Sequence, residues 1–224
     1  MIALGEINPI TERGWLVLSE LEKFMKNDEN DPAHDLNHHL RVRKTGIEIG
    51  KSVGADLEVL EPALLLHDVI RPKEEAKEKT HAQESAKEAE RILKKCGYRN
   101  EEIKRICNTI RNHSRTDLSE GKKDVESKVL YDADKIDGVG ADGIRRVISL
   151  GKTRGWNAKK SAAWYLGRIL DVAKNERLYF ASSKAIAREG ITISLNWCER
   201  VLGKEKFAKQ LNEGGFHSAG EVEF

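Results

Sequence analysis

The stretch from Pro62 to Pro72, Pro-Ala-Leu-Leu-Leu-His-Asp-Val-Ile-Arg-Pro, constrains this chain more than any other. Three leucines run into His67 and Asp68, and two apolar residues follow, so both polar side chains are expected in the interior. An unpaired imidazole or carboxylate there costs on the order of several kcal/mol. Either a divalent cation satisfies the pair, or the histidine caps a helix beside an N-cap aspartate. Neighbouring helical residues point about 100° apart. The two can therefore share one cation only if it sits in a crevice beside their helix, with further ligands from elsewhere in the chain.

The rest of the chain is patterned for helices. Trp15, Leu18, Leu21, Phe24 and Met25 mark an amphipathic helix within 10–27. Asp35 is placed to cap a helix running to about Gly54, with Val42, Thr45, Ile49 and Val53 on its inner face; four residues back from Val42 is His38. His39, with Arg43 and Gly46, is expected on the flank. A second helix spans Leu57 to Val69, and the charged segment 73–79 after it is expected to be a solvated loop. His81 opens a helix with Ala82, Ala86, Ala89, Leu93 and Cys96 on its buried stripe and Gly97 as its stop. Asn100 is expected to cap the next, whose stripe of Ile103, Ile106, Cys107 and Ile110 leads three residues on to His113. In Asp132-Ala-Asp134-Lys135-Ile136-Asp137 the acids fall on two sides of one helix, and periodicity does not choose between Asp132 and Asp134. Apolar residues at helical spacing continue to Leu202, and the polar tail after Phe207 is expected to fray. No strand-like alternation persists and no repeat is found. The fold class is all-α, with about eight to ten helices.

The chain has 224 residues, enough for one domain with an appendage. Lys+Arg 39 nearly cancels Asp+Glu 37, which argues against a dedicated nucleic-acid binder. Cys96, Cys107 and Cys198 are scattered, with no C-x-x-C spacing, as in a reducing compartment. The N-terminus has no basic n-region or long apolar core, and no apolar run approaches the roughly 20 residues of a membrane span. A cytoplasmic location follows as the expectation.

Taken in order, His38, the His67-Asp68 pair and the aspartates near 132–134 form a constellation. With "HD..H..RV" at 34–42, "LLHD" at 65–68, "HAQESA" at 81–86, "IRNH" at 110–113 and "DADKIDGVGADGIRR" at 132–146, it resembles the HD-domain superfamily of metal-dependent phosphohydrolases. It is most similar to the small bacterial and archaeal HD hydrolases that include nucleoside triphosphate pyrophosphatases. The resemblance covers roughly 30–150. It implies an all-α HD core over 31–150, an N-terminal helix in 1–30 packed on it, and a C-terminal helical extension over 151–224.

By the same resemblance, His38, His67, Asp68 and Asp134 hold one divalent metal, whether Mn²⁺, Fe²⁺, Co²⁺, Ni²⁺ or Zn²⁺. Asp134 is the residue so implied because an aspartate directly before Lys135-Ile136 matches the family pattern. Asp68, His81 and His113 are the catalytic candidates. The two histidines match second-metal positions of two-metal branches, but the supporting ligands are incomplete here, so phosphate binding, proton transfer or helix capping are their alternatives. Arg71 stands where some nucleotide monophosphatases of the superfamily carry a glutamate. With Lys135 and Arg145 it is a candidate phosphate contact. Asp137 meets a ribose, orients Lys135 or forms a surface ion pair, and Arg41 is an ion-pair partner. Trp156, Trp164, Tyr165 and Tyr179 stack on a base or pack in the core.

The expectation is a phosphohydrolase of a small phosphorylated substrate, a nucleotide, with triphosphates cut to monophosphate and pyrophosphate. A nucleotide monophosphatase and a cyclic-nucleotide phosphodiesterase are the alternatives within the class, and a non-catalytic nucleotide sensor with a structural metal is the alternative outside it. No membrane partner is expected, nucleic acid is disfavoured, and the aromatic C-terminal helices suggest a homodimer.

Overall fold

In a computed structural model, residues 10–27, 35–70, 81–114, 123–175 and 178–224 are described. Among them the chain is all-α, with ten α-helices and no strand. His34, Arg71 and the charged segment 73–79 lie outside the described residues. The chain divides into two compact units, Met1–Ala133 and Asp134–Phe224, and the boundary falls within helix α6 (Val125–Asp137).

The first unit is organised around α3 (Leu57–Leu66), in which every residue from Val59 to Leu66 is buried. A helix buried on nearly every side has to be enclosed by others. Around it stand α1 (Gly14–Asn27), α2 (Leu36–Val53), α4 (His81–Lys95) and α5 (Asn100–Asn112). Local chemistry sets the ends. The Asp35 carboxylate accepts the His38 N–H at 2.9 Å and caps α2, and Gly54 ends it at φ +72°, a conformation that suits glycine. The Asp56 carboxylate caps α3 by accepting the Glu58 N–H. Gly97, at φ +76°, follows α4 as the pattern indicates.

Three expectations are corrected in this unit. The face of α2 that bears His39, Arg43 and Gly46 is buried rather than flanking. The reason is α3: a methyl at Gly46 or Gly50 would overlap Leu64 or Leu60, so the bare glycine backbone lets the two helices close together. Trp15 is half exposed, and α1 buries Val17, Leu18 and Leu21 instead. At the start of α5 the capping position is Arg99, one residue before Asn100, and its N–H is accepted by the Glu102 carboxylate at 2.7 Å.

In the second unit α7 (Gly140–Thr153), α8 (Ala158–Asn175) and α9 (Ala181–Leu202) pack on one another, and α10 (Lys204–Glu213) lies against α8 and α9. The turn at Gly138–Gly140 is tied into this bundle. The Gly140 N–H donates to Ser194 Oγ at 2.8 Å, and the Tyr165 hydroxyl lies 2.9 Å from both Ser194 Oγ and the Gly138 carbonyl. Tyr165 is therefore a core residue. The expected fraying of the tail is also corrected. A short 3₁₀ turn over Ala219–Glu221 leads into Val222 and Phe224, both buried, whose apolar side chains anchor the end. No described helix is long and apolar enough to cross a membrane.

Candidate metal centre

The centre is built from helix ends. His38 lies in the first turn of α2, beside the Asp35 cap. His67 is the C-cap residue of α3, with Asp68 next to it, and His113 is the C-cap residue of α5. His81 is the first residue of α4. The last turns of helices leave carbonyls without intrahelical partners, and both C-cap histidines use them in the same way. The His67 Nδ1 lies 3.0 Å from the Leu64 carbonyl, and the His113 Nδ1 lies 2.6 Å from the Ile110 carbonyl, each three residues back. A carbonyl oxygen only accepts, so each Nδ1 carries the proton and donates. In the neutral ring that leaves the Nε2 lone pair facing inward. Helix capping and ligand presentation are two ends of one imidazole, so the structural and chemical readings of these histidines are compatible.

The inward atoms converge. His38 Nε2 and His67 Nε2 are 3.2 Å apart. His67 Nε2 is 3.9 Å from Asp68 Oδ2, while His81 Nε2 and His113 Nε2 are 3.6 Å and 4.0 Å from Asp68 Oδ1. All five residues are buried, His38 and His67 completely. One ligand atom each from His38, His67, Asp68 and Asp134 lies within 4.8 Å of all the others, Asp134 being the residue after Ala133 on α6; Asp68, His81 and His113 form a second group as close-set. Ligand shells with bonds of about 2.1 Å place neighbouring atoms roughly 3.0–3.4 Å apart. The imidazole pair matches that spacing, and two nitrogens with two carboxylates suit a borderline divalent ion. The donor set fits a cation.

Asp132 is fully buried, Asp134 is half-buried, and it is Asp134 that stands with the histidines. Lys135 is half-buried in the last turn of α6. The Asp137 carboxylate accepts from Arg146 at 2.9 Å, and exposed Arg145 pairs with Asp142. His39, which periodicity placed on the flank, is completely buried, its ring centroid 5.5 Å from that of His38 and 5.3 Å from that of His67. The His38-His39 doublet was the only hint of it in the sequence.

The cysteines take no part. All three are buried free thiols, and burial pushes Cys107 up to about 11 and Cys198 up to about 12. A thiol so raised is not an available thiolate at neutral pH. The Trp156 and Trp164 rings meet at a tilt of 52°, centroids 5.8 Å apart, and Trp164 is partly exposed.

Residues 35–138 match the HD domain family. The helices that present His38, His67, Asp68, His81, His113 and Asp134 all fall inside the matched stretch. Among particular proteins, it is 30% identical over 130 residues to YpgQ of Bacillus subtilis; that alignment spans 57% of this chain and 62% of YpgQ, under two thirds of the relative's length. The crystal structure of YpgQ superposes with a TM-score of 0.66 at 23% identity, over 86% of this chain and 95% of that one. YpgQ in complex with ADP gives 0.64 at 22% identity, over 86% and 94%. At these identities the structural likeness to YpgQ is one of fold. A predicted HD superfamily hydrolase from an uncultured Thermotogales bacterium is 25% identical, with a TM-score of 0.58 over 84% of this chain and 91% of that one.

Proposed function

We propose that this protein is a metal-dependent phosphohydrolase that acts on a nucleotide, cleaving a (deoxy)nucleoside triphosphate to monophosphate and pyrophosphate. The observation that carries the reading is the close-set group of His38, His67, Asp68 and Asp134, with the inward nitrogen of His67 fixed by its outer hydrogen bond. The HD domain supports the class, and the ADP complex of YpgQ supports a nucleotide as ligand.

These four residues would hold one divalent cation, which when bound supplies Lewis-acid activation of water and neutralises charge on phosphorus. The chain's own groups do the rest. Asp68 belongs to both close-set groups, so one carboxylate links the ligand set to His81 and His113. Their Nε2 atoms lie 3.6 and 4.0 Å from Asp68 Oδ1, which supports a role for those histidines in moving a proton or holding a phosphate oxygen. Lys135 is the phosphate contact we assign on α6, with Arg71 as a second. Arg145 would have to exchange its Asp142 partner for substrate, which makes it the weaker of the three. Asp137, already engaged by Arg146, serves to position that segment.

The test is product analysis of nucleoside mono-, di- and triphosphates with Mn²⁺, Co²⁺, Ni²⁺ or Mg²⁺ and with chelator. Pyrophosphate from triphosphates, abolished by chelator and in the Asp68→Ala protein, is the expected result. Phosphate from monophosphates would keep the metal chemistry and replace the substrate. A folded wild type that binds metal and nucleotide without turnover would make the protein a sensor.

A further inference from the structure

A second buried polar group of the first unit lies outside the metal centre. Glu61, in the middle of α3, is completely buried, and Arg43 on α2 is nearly so. The Arg43 Nε donates to Glu61 Oε1 at 2.8 Å, and its Nη2 reaches the same oxygen. Oε2 accepts from the Thr11 N–H at 2.8 Å and from the Thr11 hydroxyl at 2.6 Å, while the Ile10 N–H is 3.0 Å from Oε1. One carboxylate thus joins α2, α3 and the chain entering α1.

Its place along the helices matters. Going from His38 to Arg43 rises about 7.5 Å along α2, and going from His67 back to Glu61 covers about 9 Å along α3, at 1.5 Å per residue. The two pairs are successive rungs between antiparallel helices; the notch at Gly46 that receives Leu64 lies level with the Arg43–Glu61 rung, and the notch at Gly50 that receives Leu60 lies beyond it. Apolar contacts resist separation but are non-directional. A guanidinium held by a carboxylate fixes direction and distance. A buried ion pair adds little net stability over an apolar pair of similar volume, and setting register is its best-attested use.

We propose that Arg43 and Glu61 are positioning residues that fix the register of α2 against α3 and thereby set the spacing of His38 from His67. The proposal rests on the metal-centre reading for its consequence, because a slip of even a fraction of a turn moves one imidazole out of the shared shell.

The experiment compares wild type with the double variant Arg43→Met/Glu61→Gln. Removing both charges avoids stranding one in the interior, and the Gln carbonyl still accepts from Thr11. Three readouts are taken: melting temperature, Mn²⁺ affinity of the folded apo-protein by titration calorimetry, and the His38 Nε2–His67 Nε2 separation in crystals of both proteins. The expected result is a Mn²⁺ Kd at least tenfold weaker and a widened separation. A purely structural pair would lower the melting temperature and leave the Kd of folded protein within twofold, which overturns the proposal. Should the double variant not fold, Arg43→Lys keeps the charge without the fork, and a Kd at least threefold weaker is expected; a Kd within twofold of wild type overturns it. If wild type binds no Mn²⁺, the metal reading fails. The separation then decides alone: 3.2 Å retained in the variant overturns the register claim, and a widened pair supports it.

Discussion

Two of the polar clusters inside this molecule differ in spacing, and the difference separates their roles. In the second unit the Tyr165, Ser194, Gly138 and Gly140 atoms stand 2.8–2.9 Å apart, the distances of completed hydrogen bonds. In the first unit the Asp68 carboxylate stands 3.6–4.0 Å from three imidazole nitrogens, beyond hydrogen-bond length, while two of the imidazoles face each other at 3.2 Å. A closed knot of direct bonds locks backbone. An array held slightly apart, with two of its outer nitrogens anchored to helix carbonyls, has the spacing of a group that could hold an ion.

Five substitutions sharpen that contrast. The largest effect is expected at His67→Ala, which should abolish metal-dependent hydrolysis and weaken metal binding by more than about 100-fold, the range reached by merely outer-shell changes, while circular dichroism stays helical. Next come His81→Ala and His113→Ala. Each should lower kcat by about 10²–10⁴-fold, the usual worth of a proton-transfer group, with metal affinity measured by calorimetry changed little. Equal losses of affinity at His113 and His67 would merge the two groups into one ligand set.

Tyr165→Phe, in the closed knot, should cost about 1 kcal/mol, or roughly 2–4 °C in melting temperature, with metal affinity untouched. The smallest effect belongs to Glu102, which accepts from both terminal nitrogens of Arg13 and from the Arg99 N–H. The Arg13 guanidinium holds this carboxyl well below its ordinary value near 4.5. A group so lowered contributes stability that is complete above that value and is lost as pH falls below it. Glu102→Gln should therefore lower the melting temperature slightly at pH 7, and the difference from wild type should vanish progressively below about pH 4.5. A difference that persists unchanged at pH 2 would show that the carboxylate charge is not what Arg13 uses.

Much of this was legible in the sequence where local chemistry decides. Asp35, Gly54 and Gly97 mark helix ends by side-chain capping or by positive φ, and the buried stripes of α4 and α5 follow from spacing alone. Periodicity reports which face of a helix is apolar, not what covers it. Hence His39 and Arg43 read as flanking until α3 is seen closing on Gly46 and Gly50, and Trp15 read as buried although α1 turns Val17 and Leu21 inward. Val222 and Phe224 gave no period to detect, being two isolated side chains in a polar tail. At the centre, the resemblance named the candidate ligands, but the hydrogen bonds to the Leu64 and Ile110 carbonyls, which orient two of the imidazoles, come from helix ends whose positions depend on tertiary packing.

The central claim is that His38, His67, Asp68 and Asp134 together hold a single divalent ion. Calorimetric titration of chelator-treated protein with Mn²⁺, for wild type beside Asp134→Ala and His67→Ala, tests it most directly. The account predicts one high-affinity site per chain in wild type, lost in both variants while each remains folded. A folded wild type that takes up no divalent ion, or an Asp134→Ala protein that binds as wild type does, would contradict it.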